Sequence, residues 1–186
     1  RQGQHKIRVK NRTPVGLINA VVITSSYTNN DGVAGPFVIT LTIEEDGKEY
    51  VFYIPRFLSL ETSKNLDNFF NMYSPSAMSE EYMDSLYEDT PCLYVKQDTA
   101  LELYHLTGKQ FYKDFLKKSK NSIIKRYFDR CQEKEIIDFL QFGFFASSSL
   151  DKFRKIADER EMSILSAYIL EEQKKKAPKT TTKFTI

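Results

Sequence analysis

The sequence predicts an α+β protein, with an N-terminal antiparallel β-barrel or strongly bent sheet followed by a mostly helical remainder. Two observations carry this expectation. Up to about residue 58 the apolar residues recur with a period of two between turn residues, and from Leu60 onward the period changes to that of amphipathic helices. A third observation fixes the centre of the β part: Asp46-Gly47 separates two alternating runs, and this pair tolerates the positive φ angles of a two-residue hairpin turn.

The hairpin occupies GPFVITLTIEEDGKEYVFYIPRFLS, residues 35–59. With Glu45 opposite Lys48, the ladder sets Ile43 against Tyr50, Leu41 against Phe52, Ile39 against Ile54, Thr42 against Val51 and Thr40 against Tyr53. One face is apolar throughout and the other is mixed, so a slip of one residue would expose the apolar set. Glu44 opposite Glu49 is the misfit. Pro55 cannot donate to a ladder and should end the second strand. Upstream, residues 4–11 alternate Ile7 and Val9 with Lys6, Arg8 and Lys10, a first strand with one basic face. Residues 16–27 read as a central second strand, joined to the hairpin by the loop 28–36.

Beyond the hairpin, Thr62 or Ser63 can cap a helix carrying Leu66, Phe69, Phe70 and Tyr73, and Ser79 a short acidic helix through Tyr87. Residues 92–95 read as a closing strand. Asp98 or Thr99 then opens a helix that ends at Gly108, followed by a basic helix and by another that starts at Asn121-Ser122. Ile136 to Phe142 continue the apolar pattern, Gly143 interrupts it, and Ser147 to Ser149 cap a final helix reaching Ile169. The expected organisation is therefore 1–58, a β part; 59–173, a helical part packed on it; and 174–186, a basic Thr-rich tail of flexible composition. No internal repeat is visible.

Composition narrows the function. The 186 residues are 41% hydrophobic and 28% charged, ordinary for a globular chain. No apolar run approaches the roughly 20 residues of a membrane span, and no apolar leader with a small-residue cleavage site is visible, so the expectation is an intracellular chain, cytoplasmic or nuclear, with no membrane partner. It begins with Arg1 rather than Met, as a fragment or processed chain would. Cys92 and Cys131 stand apart, and His5 and His105 fit no metal-binding spacing, so neither a disulfide scaffold nor a metal site is implied. No P-loop, no dinucleotide-binding glycine pattern and no acid/base spacing is present. The reading is non-catalytic binding without a cofactor. The net charge of +2 conceals segregation, with basic runs at 1–12, 109–134 and 174–183 and an acidic run at 79–98, a pattern that suits a polyanionic partner.

Gly35-Pro36, the alternating strand 37–44 and Pro55-Arg56-Phe57 resemble a phrase of single-stranded-DNA-binding OB-fold proteins. The resemblance covers under a third of the chain. It implies an OB-like groove that attracts phosphates and stacks bases, which calls for basic residues interleaved with aromatics. The candidates are Arg8, Lys10, Arg12, Tyr27, Tyr53 and Arg56, with Lys117 and Lys118 on the basic helix as a second surface. For Tyr53 the alternative is packing beneath the helices, and for Arg56 a carboxylate or helix-end contact. A rival function is a protein–protein interaction module, an inhibitor or assembly factor, using the acidic aromatic segment through Glu80, Glu81, Tyr82 and Tyr87.

Overall fold

The computed structural model describes residues 5–10, 23–24, 36–90 and 92–176, and within the first two strands the side-chain description is confined to Arg8. The chain is α+β and divides into two compact units, Arg1–Lys118 and Ser119–Ile186.

In the first unit, β1 (His5–Lys10), β3 (Val38–Glu45) and β4 (Lys48–Pro55) form a sheet in the order β1-β3-β4. A separate parallel pair joins β2 (Ile23–Thr24) to β5 (Phe57–Leu58). The β3–β4 hairpin has the register its alternation dictates, from Glu45 opposite Lys48 through Ile39 opposite Ile54 to Val38 opposite Pro55. Asp46 at φ 52° and Gly47 at φ 74° make the left-handed turn between them. β1, however, runs parallel to β3. Neither the barrel nor the all-antiparallel arrangement expected from the sequence is present among the described residues, where the sheet is open. Alternation reveals a strand but not its direction, and the chain between residues 10 and 38 is long enough for the crossover that parallel pairing requires.

The apolar face of the hairpin, Ile39, Leu41, Ile43, Phe52 and Ile54, packs with Leu58, Leu66, Phe70 and Leu86 into one core. Leu66 and Phe70 come from α1 (Leu60–Met72). Its cap is Ser59, whose hydroxyl accepts from the Thr62 amide at 3.1 Å, so the helix starts ahead of the expected Thr62 or Ser63. After a single 3₁₀ turn at Pro75–Ala77, α2 (Glu80–Glu88) is capped by Ser79 as its sequence predicts.

Residues 92–95, expected to be a strand, instead open α3 (Leu93–Thr107), so neither Asp98 nor Thr99 caps it. Val95, Thr99 and Leu103 lie one turn apart on its buried face, and that tertiary burial overrides the strand preference of a short apolar run. Gly108, at φ 67°, ends the helix with its amide on the Tyr104 carbonyl. The two helices expected on either side of Asn121-Ser122 are one, α4 (Gln110–Asp129).

The second unit contains the end of α4, then α5 (Glu133–Leu140), α6 (Ser147–Glu159) and α7 (Ser163–Lys176). The expected single final helix is thus two. Although no repeat shows in the side chains, two turns repeat in the backbone. After α4, Cys131 takes φ 51°, its amide reaches the Phe128 carbonyl at 3.0 Å and the Gln132 amide reaches the Tyr127 carbonyl at 2.9 Å. After α6, Glu161 takes φ 57°, its amide reaches the Asp158 carbonyl at 3.2 Å and the Met162 amide reaches the Ala157 carbonyl at 2.8 Å. Both are Schellman caps with a non-glycine residue in the left-handed position. Each joins two helices into a hairpin, and Glu133 ties the hairpins together by accepting from the Leu165 amide at 2.9 Å.

Candidate nucleic-acid interface

The mixed face of the sheet presents Thr40, Thr42 and Glu44 from β3 and Glu49, Val51 and Tyr53 from β4. The parallel register sets Lys6, Arg8 and Lys10 opposite Thr40, Thr42 and Glu44. Arg8, Glu49 and Val51 are well exposed, so this face meets solvent, while Tyr53 is half-buried beside its partner Thr40.

The register also accounts for the misfit of Glu44 opposite Glu49. The Arg8 guanidinium is ion-paired to Glu49 and stands 3.8 Å from Glu44, so one cation from β1 relieves the repulsion of two carboxylates on the hairpin. Arg8 is therefore a cation already paired with carboxylates rather than a bare phosphate ligand.

Arg56 is drawn inward. Its amide donates to the Phe37 carbonyl at 2.8 Å, Nη1 donates to the Pro36 carbonyl at 3.2 Å, and the guanidinium carbon sits 5.6 Å from the Phe57 ring centroid. Beside it, Glu102 of α3 accepts from two consecutive amides, Phe37 at 2.9 Å and Val38 at 2.8 Å. Burial pushes the Glu102 pKa up, against the two amides and the nearby Arg56, which pull it down. Nothing in the spacing of Glu102 signals this role. Lys10 lies in β1 by register, Arg12 and Tyr27 fall outside the described residues, and Lys117 and Lys118 are exposed on α4.

The acidic segment is largely engaged within its own unit. Lys109 binds Asp84 at 2.9 Å and Glu80 at 3.3 Å, Tyr112 donates to Asp84 at 3.1 Å, and Lys96 binds Glu88 at 2.6 Å. Burial disfavours the Lys109 charge, yet its bonds to Asp84 and Glu80 prevail and raise its pKa. Tyr87 is fully buried, with the rings of Phe111, Tyr112 and Phe115 against it and Lys96 4.9 Å from its ring centre, and burial raises its pKa. Tyr87 cannot meet a partner directly. Tyr82 is half-buried and stacked on Phe69 with ring centres 6.4 Å apart, which leaves Glu80 and Glu81 as the exposed members of the proposed docking set.

Among the described residues, no group of three or more His, Cys, Asp or Glu could hold a metal ion, and no helix is long and apolar enough to cross a membrane. No protein-family model, curated protein or solved structure matches the chain.

Proposed function

We propose that this protein is a non-catalytic binder of single-stranded nucleic acid, which it engages across the mixed face of the β1-β3-β4 sheet. The observation that carries this reading is the parallel register of β1, which sets Lys6, Arg8 and Lys10 opposite Thr40, Thr42 and Glu44 of β3, with Tyr53 of β4 opposite Thr40 on the other side of that strand. A basic strand and an aromatic on one open sheet supply the two things a single strand needs, phosphate attraction and a stacking surface. The reading requires no closed OB barrel. It gives Arg56 a supporting role at the start of β3, and it leaves Lys117 and Lys118 as a sequence-independent phosphate surface.

Fluorescence anisotropy of a labelled oligo-dT, titrated at several salt concentrations beside duplex DNA, tests it. The single strand binds, and more weakly as salt rises. Tyr53→Ala removes a stacking contact of roughly 1–3 kcal/mol. Glu49→Gln removes the nearer of the two carboxylates at Arg8, tightens binding and steepens the salt slope by about one. No binding at low salt, or indifference to both substitutions, overturns the proposal.

A further inference from the structure

A groove of about 390 Å³ lies in the second unit between the end of α4 and α6, lined wholly by residues of that unit. Ile124 and Phe128, both nearly fully buried, form its floor, and the half-buried Phe153 and Ile156 form its wall. Its volume falls within the range of roughly 300–1,000 Å³ typical of ligand sites. The rim is charged. Lys125 Nζ stands 3.0 Å from Asp129 Oδ2, Arg160 Nη2 stands 3.5 Å from Asp129 Oδ1, and Arg160 Nη1 donates to the Phe128 carbonyl. Hydrogen bonding from Lys125, then from Arg160, holds the Asp129 pKa below the ordinary carboxylate range, so two cations surround one stable anion and the rim is net positive. An ammonium has three donors and a guanidinium five. Lys125 uses one and Arg160 two on the partners just named, so both keep donors for a further carboxylate.

We infer that this groove docks an acidic, amphipathic segment of a partner polypeptide. An apolar side chain of the segment seats against Phe128, Phe153 and Ile156, and a neighbouring carboxylate pairs with Lys125 and Arg160. The charge complementarity selects an acidic partner. The position of the groove between α4 and α6 selects a helical one, because a groove between two helices receives the apolar face of an amphipathic helix. The inference is independent of the sheet reading.

The test uses the full chain and a fluorescent peptide of roughly 15 residues, long enough to form a helix, with leucines at helical spacing and glutamates on the other face. A twin peptide carries lysines in place of the glutamates. The acidic peptide binds about tenfold or more tightly than its twin and weakens with salt. Lys125→Glu lowers that affinity by about tenfold and Ile156→Lys abolishes it, while circular dichroism of both variants stays native; Phe153→Leu serves as a milder second wall variant. Equal binding of the two peptides, no binding, or indifference to the substitutions overturns the inference. So does displacement of the peptide by oligo-dT, which would make the surface a nucleic-acid site, or self-association in sedimentation that Ile156→Lys abolishes, which would make the occupant a second copy of this chain.

Discussion

At the start of β3 one carboxylate, Glu102, satisfies two consecutive amides that lie 65 and 64 residues away in sequence. Removing it leaves part-buried donors without their acceptor, so Glu102→Ala costs about 1–3 kcal/mol in urea denaturation. The pH dependence has a definite sign. Burial raises the folded-state pKa above the ordinary 4.5, so the folded protein binds this proton more readily than the unfolded chain. The group's contribution is greatest below that ordinary value and is lost as pH rises through the raised one. Stability measured from about pH 4 to about pH 7 therefore falls in the wild type relative to Glu102→Gln, and parallel curves would refute the assignment. Residues of this kind are illegible in a single sequence, because nothing local to Glu102 names Phe37 or Val38. Arg8 is a partial exception. Its place on a basic strand is legible, but its pairing with Glu49 needs the parallel register.

At the scale of elements, the hairpin was legible in full because alternation and turn chemistry agree, and the period of two allows no slip. The helix starts at Ser79 and the stop at Gly108 were legible for the same local reason. The α4–α5 and α6–α7 turns were not, because Cys131 and Glu161 occupy left-handed positions where glycine would announce the cap. That mismatch is open to test. Glu161→Gly relieves the left-handed strain, offset in part by the greater freedom of glycine in the unfolded chain, and raises stability by about 0.5–1 kcal/mol. Glu161→Ile lowers it. Thermal melts of the two variants read the difference, and the same melting temperature for both would contradict the geometry. The residues at equivalent positions explain the hidden repeat: where one turn has Tyr127 and Phe128 the other has Ala157 and Asp158, so the backbone recurs while the chemistry does not.

At the scale of the molecule, the segregation of charge along the chain is only partly an advertisement for a polyanion. Lys109, from the second basic run, closes on Glu80 and Asp84 of the acidic run, and Lys96 closes on Glu88. Two compact units also allow separate functions, a sheet face in one and a groove in the other. Leu165 is completely buried in the second unit, and Leu165→Ala removes about 2–5 kcal/mol of packing there. The expected outcome is an earlier loss of helical signal on heating, with oligo-dT binding retained at low temperature. Parallel loss of both would show that the units act as one.

The sequence by itself determined what depends on neighbours a few residues apart: the α+β class, the hairpin and its register, the Ser79 cap, the Gly108 stop and the apolar stripes of the helices. Tertiary structure alone decided the direction of β1, the helical state of residues 93–95, the fusion of two expected helices into α4, the burial of Tyr87 and the groove between α4 and α6. Each of these is settled by partners far away in the chain, whose burial and hydrogen bonds outweigh local preference by more than any short pattern can encode.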